Sequence, residues 1–183
     1  MKKIIAIVVI VMMSSSLTFA QKYFTKNGNV SFFSKTSVEN IEAVNKKAVC
    51  VIDAGMGAME FAVLMKAFEF ERALMQEHFN ENYVESDTYP KGSFKGKITN
   101  VSSVNFTTDG TYPVTIAGKM TIHGVTKDVS AKGSIVVAGG KINGISEFNV
   151  LLADYNIEIP SVVKDKISKS FKITVNVWLE PKS

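Results

Sequence analysis

Beyond residue 90 the chain alternates apolar and polar residues with a period of two, and that pattern limits the folds open to it. Val114, Ile116, Gly118, Met120 and Ile122 are separated by Thr115, Ala117, Lys119 and Thr121. Val129, Ala131, Gly133, Ile135 and Val137 are separated by Ser130, Lys132, Ser134 and Val136. Phe148, Val150 and Leu152 face away from Glu147 and Asn149, and residues 171–179 repeat the pattern, with Trp178 on the polar side. Successive strand side chains point to opposite faces, so each segment reads as a strand with one buried and one wet face. Asp109-Gly110, His123-Gly124 and Gly139-Gly140 separate the segments and suit short hairpin turns. Consecutive hairpins make an antiparallel meander.

The first half is less regular. Residues 30–35, 48–53 and 58–65 read as strands, with a turn over 53–57, and residues 94–104 as another strand weakened by Gly96. Residues 71–79 carry good helix formers, and Leu74 and His78 share a face at i, i+4, which predicts one short helix. An irregular stretch then runs to Pro90. Seven or eight strands with one apolar face, and almost no helix to cover them, favour closure of the sheet on itself. A barrel of about eight strands encloses a lumen able to hold a small ligand. The expected fold is therefore all-β, a single antiparallel eight-stranded barrel with one short helix.

The start of the chain addresses the compartment. Lys2 and Lys3 precede an apolar run over residues 4–13, then Ser14, Ser15, Ser16 and a small-residue exit at Ala20. A positive start, an apolar stretch of about 7–15 residues and a small-residue cleavage site describe a secretory signal peptide. The run is too short for a spanning helix of about 20 apolar residues. The reading is a signal peptide over 1–20, cleaved before Gln21, and one domain over 21–183. The net charge of +4 includes Lys2 and Lys3, and Arg72 is the only arginine. Without a basic cluster or guanidinium forks, nucleic-acid binding is not supported. Cys50, the only cysteine, lies in an apolar run and reads as a small buried hydrophobe.

The catalytic inventory is thin. His78 and His123 lie far apart in sequence, neither at metal-ligand spacing from another histidine or cysteine, and no nucleophile elbow or phosphate loop is present. No catalytic residue, metal or cofactor is expected. The positive signal is the lining of the apolar face. Phe61, Met65, Met120, Phe148 and Phe171 share it with Gly118, Ala131 and Gly133, so that bulk alternates with open space for a ligand. Met56, Met59, Met65 and Met75 add adaptable apolar surface near the helix. The expected lumen lining is Phe61, Met65, Val114, Ile116, Gly118, Met120, Ile122, Gly133, Phe148, Val150, Phe171 and Ile173. The competing reading is a barrel with a filled core that acts through surface contacts, such as Trp178.

Three segments together resemble the YceI-like family of exported bacterial polyisoprenoid-binding proteins. Residues 118–127, Gly-Lys-Met-Thr-Ile-His-Gly-Val-Thr-Lys, are similar to the family's G-x-L-T-I-H-G-V-T-K strand–turn–strand. Residues 70–80, followed by Tyr89-Pro90 and Phe94, resemble its arginine-containing helix and Y-P-x-x-x-F strand start. Residues 148–177, with Asp154-Tyr155, resemble its closing block. The opening departs from the family's D-x-x-H-S-x-V-x-F pattern, since residues 27–32 read Asn-Gly-Asn-Val-Ser-Phe. The resemblance implies a lipocalin-like barrel with an apolar tunnel for a quinone or a polyprenyl phosphate, stored, shielded or carried in the periplasm or outside the cell. A prenyl phosphate needs a cation, for which Arg72 and Lys119 are candidates. Membrane contact would be transient, and both a monomer and a homodimer fit the resemblance.

Overall fold

The computed structural model describes residues 21–182, so the expected signal peptide lies outside the described residues. The strands are β1 (Lys22–Lys35), β2 (Asn40–Asp53), β3 (Ala58–Leu64), β4 (Glu69–Phe70), β5 (Lys91–Ile98), β6 (Gly110–Ile122), β7 (Val125–Ala138), β8 (Lys141–Leu151) and β9 (Ser170–Pro181), with one helix, α1 (Ala73–His78). Every pairing is antiparallel. The order β1-β9-β8-β7-β6-β5-β3-β2 closes on itself through β1–β2, while the two-residue β4 adds to β2. The eight-stranded antiparallel barrel with a short helix is the fold the alternation predicts.

Local chemistry explains where strands begin and turn. Asp53 Oδ1 accepts from the Gly55 and Met56 amides, both at 3.0 Å, which shapes the β2–β3 turn. His123 and Gly124 both have positive φ, as do Gly139 and Gly140, the conformation that two-residue hairpins joining twisted strands require. Asp109-Gly110 is not such a turn, because β5 and β6 are joined by the longer stretch 99–109. Asp109 Oδ1 instead accepts from the Gly139 amide at 3.1 Å. The strand expected over 94–104 stops at Ile98. The Asn100 side chain takes over the ladder there, accepting from the Thr115 amide at 2.9 Å and donating to the Pro113 carbonyl at 3.1 Å. A 3₁₀ turn, Val101–Ser103, follows. The helix is shorter than the expected 71–79 and runs into a π-helical turn, Phe79–Tyr83.

Strand direction gives the barrel two ends. The β2–β3 and β7–β8 turns and the 99–109 stretch lie at the lower end. The β1–β2 and β6–β7 turns, α1 and the segment between β8 and β9 lie at the upper end. The interior divides the same way. Tyr23, Ile52, Ile98, Ile135, Ile142 and Leu179 pack a solid lower core, whereas Phe32, Met65, Phe68, Met120 and Val150 belong to a separate upper cluster. Outside, exposed ion pairs such as Lys95–Glu60 and Lys141–Glu180 decorate the wall. Exposed pairs of this kind contribute about 0–1 kcal/mol each, so the interior carries the stability.

Candidate binding cavity

Above the lower core the barrel is hollow. The cavity has a volume of about 1070 Å³, at the upper end of the roughly 300–1,000 Å³ typical of small-molecule sites. Its floor is formed by Cys50, Ile52, Met59 and Ile135. Cys50 is only 1% exposed, and burial pushes its thiol up to about 12, so it stays protonated and unreactive near neutral pH.

Most of the expected lining is in place. Phe61 and Met65 come from β3 and its end, Ile116, Met120 and Ile122 from β6, Phe148 and Val150 from β8, and Phe171 and Ile173 from β9. Three expected residues are not part of it. Val114 is buried in the lower core, too deep to reach the hollow part. Gly118 and Gly133 lie on the inner face but leave no room. A Cβ on Gly118 would sit 2.5 Å from both Gly96 Cα and Lys95 O, and 2.8 Å from Phe94 Cζ. Gly96 and Gly118 are directly paired, and the Phe94 ring fills the space that both leave. A Cβ on Gly133 would sit 2.5 Å from the Ile145 carbonyl oxygen. These glycines let backbones approach rather than open a lumen.

The headgroup candidates separate as well. Lys119 is on the outer wall, opposite Asp128 in register and paired with its carboxylate at 3.0 Å. Arg72 does reach the cavity mouth, but its guanidinium is engaged by the Glu39 carboxylate of the β1–β2 turn and contacts Met75 Sδ at 3.2 Å. Trp178 points outward at 51% exposure, as the alternation requires.

Over the mouth lies α1, none of whose residues is buried. Its flanks hold it. The Phe32 ring of β1 packs against Phe68, Phe70 and Phe79 at centroid distances of 5.2–5.6 Å. Leu74, Met75 and His78 of the helix line the cavity mouth, with Leu74 61% exposed. This aromatic anchor was not visible in the strand alternation, because Phe68, Phe70 and Phe79 come from irregular segments.

His123 has a structural task. Its Nδ1 donates to the Tyr155 carbonyl at 3.1 Å, its ring meets Tyr89 edge-on at 4.7 Å, and the Glu85 carboxylate lies 3.4 Å from Nε2. One side chain thus joins the β6–β7 turn, the segment after β8 and the segment before β5. His123→Asn tolerates the positive φ but removes the ring, and should cost about 1–2 kcal/mol. Thermal denaturation reads that loss, and ligand retention should persist. Among the described residues no three His, Cys, Asp or Glu side chains gather to hold a metal ion.

A closed up-and-down barrel, solid below and hollow above, places the protein in the lipocalin-like class of small β-barrels. The chain belongs to the YceI-like family, whose YceI-like domain profile matches residues 9–179. Among solved structures, the chain is similar to a polyisoprenoid binding domain from Saccharophagus degradans implicated in plant cell wall breakdown. That match has a TM-score of 0.77 at 12% identity and covers 88% of this chain and 98% of the other. It is also similar to Burkholderia cenocepacia BcnA, at a TM-score of 0.68 and 16% identity over 83% of this chain and 95% of the other. The Campylobacter jejuni YCEI protein aligns over 100% of this chain and 99% of its own, with a TM-score of 0.55 and 13% identity. No curated protein sequence matches the chain significantly.

Proposed function

We propose that the protein is an exported binding protein, not an enzyme, and that it holds one apolar isoprenoid-type lipid in the upper half of its barrel. The observation that carries this reading is the hollow of about 1070 Å³ above a solid core, walled by phenylalanine, methionine, valine and isoleucine side chains. Burial of an alkyl chain is favourable by about 0.8 kcal/mol per CH₂ and needs no polar constellation. The similar Saccharophagus degradans structure is that of a polyisoprenoid binding domain, which supports the same ligand class. A filled-core barrel working through surface contacts fits the hollow interior less well. Storage, shielding and transport of the lipid are the roles such a cavity serves.

The amino-terminal pattern supports export to the periplasm or beyond the cell, with cleavage after Ala20. Protein recovered from the soluble envelope fraction of its own host should begin at Gln21. Native mass spectrometry should show it carrying one lipid mass per chain, lost on solvent extraction. An intact Met1 on membrane-embedded material would overturn the export reading, and a bare polypeptide mass would overturn the lipid reading.

A further inference from the structure

The seam between β7 and β8 is paired only over its lower half. Those two strands pair from Ala138↔Lys141 up to Gly133↔Ser146 and no farther. Above that rung β7 continues to Val125, paired along its length with β6, and β8 continues to Leu151, paired with β9. Residues 125–132 and 147–151 therefore flank a cleft in the wall, about 25 Å long on the β7 side at about 3.3 Å per residue. The cavity reaches it. Five consecutive β7 residues, 127–131, and four consecutive β8 residues, 148–151, border the hollow, inner-facing and outer-facing alike. A pocket that opens through a wall has that lining, whereas a sealed one touches alternate residues.

The cleft has defined limits. Below, Gly133 brings the two backbones together, and Ser146 Oγ donates to the Lys132 carbonyl at 2.7 Å in place of a further rung. Above, the 3₁₀ turn Leu152–Tyr155 is tied to the β6–β7 turn by the His123–Tyr155 hydrogen bond. Between these limits each strand edge presents amide and carbonyl groups that have no partner in the other strand. An apolar tail cannot satisfy them, but a polar headgroup can.

Of the two lysines on the β7 edge, Lys132 is opposite Thr115 on the outer face and does not border the cavity, whereas Lys127 does. Lys127 lies directly opposite Met120 in register, hence on the inner face, and it borders the cavity. Among the described residues it has no ion-pair partner, unlike Arg72 with Glu39 and Lys119 with Asp128. Asp154, in the turn above the cleft, also borders the cavity but is not within ion-pair range of Lys127. Lys166 borders the cavity too, but from the connection before β9 rather than from a cleft edge.

We propose that the β7–β8 cleft is the headgroup site, with Lys127 as its cation and the unpaired edge amides as further donors, and that the ligand is a phosphate-bearing isoprenoid. This rests on the lipid reading above and specifies its headgroup. Phosphate oxygens accept hydrogen bonds, which matches the Lys127 ammonium and the N–H groups among those edges. The tail then lies in the hollow and the headgroup leaves through the side.

The test loads the mature protein with an apolar solvatochromic dye and displaces it with geranylgeranyl phosphate or with geranylgeraniol, which share a tail. At low salt the phosphate should bind roughly ten- to a hundredfold tighter, the size of a charge-assisted hydrogen bond. Lys127→Ala should remove that preference and leave the alcohol's affinity unchanged, while Lys127→Arg retains it. Arg72→Ala and Lys166→Ala should leave the preference intact. Inorganic phosphate at the same concentration should displace nothing. Equal affinities in the unaltered protein, a preference that survives Lys127→Ala or one lost in Lys166→Ala would overturn the headgroup site alone. Displacement by inorganic phosphate would make it a free-anion site and overturn the proposal as well. If neither prenyl compound displaces the dye, the lipid reading falls and takes this one with it.

Discussion

Gly118→Ala should destabilise the barrel by about 2–3 kcal/mol, the cost of forcing one extra group into a closed-packed site. The sign is the informative part. Were Gly118 beside open lumen, a methyl would meet nothing, and the loss of unfolded-state freedom would stabilise the protein by about 0.4–1 kcal/mol. Here the new Cβ meets Gly96 Cα and the Lys95 carbonyl at 2.5 Å. Both are backbone, so β5 and β6 must separate rather than a side chain swing away. The Phe94 ring at 2.8 Å blocks the remaining direction. At about 2–4 °C per kcal/mol for a domain of this size, thermal denaturation resolves the difference. An unchanged or raised midpoint would show that the close approach of the two strands is not as described.

Ala131→Trp should abolish lipid retention while leaving the fold in place. Ala131 sits opposite Ile116 on the inner face and borders the hollow above the lower core. An indole there occupies volume the ligand needs, and it does so against an apolar wall that welcomes the ring. The midpoint of unfolding should move by only a few degrees, because no packed neighbour is displaced, while the lipid mass vanishes from the native spectrum. A well-folded Ala131→Trp protein with a full complement of lipid would place the ligand elsewhere. The contrast with Gly118→Ala is the point of the pair. Two small residues on one face of neighbouring strands have opposite surroundings, one a contact between backbones and the other a cavity.

Alternation along the strands revealed which residues face inward, but not how much space lies in front of them. That is why nine of the expected lining residues border the cavity while Gly118 and Gly133 do not. Turn chemistry was readable where two residues at positive φ suffice, as at His123-Gly124 and Gly139-Gly140. It was not readable at Asn100, where a side chain ends a strand by imitating a peptide group. The long early strands were under-read for a different reason. β1 begins at Lys22 and β2 at Asn40, in stretches too polar to display a period. They are strands because they pair with each other, Val30 opposite Asn45 and Phe33 opposite Glu42. Asn45 is fully buried, donating to the Leu64 carbonyl at 3.0 Å where β3 ends. The half-open β7–β8 seam left no trace either, since each strand alternates without interruption and pairing is a property of two strands.

That seam has a consequence for how chains meet one another. Closing a sheet into a cylinder ordinarily removes every strand edge on which a second molecule might grow. At the β7–β8 seam this wall retains two edges, and an unpaired edge invites another copy to add its own strand and begin an aggregate. The residues on them oppose that. Lys127, Asp128 and Lys132 stand along one edge and Glu147 and Asn149 along the other, all but Asn149 charged. Stacking a neighbour's strand against them would strip water from ions that the new sheet does not repay. Charge on those few positions keeps a slot in the wall from becoming a nucleus for fibres.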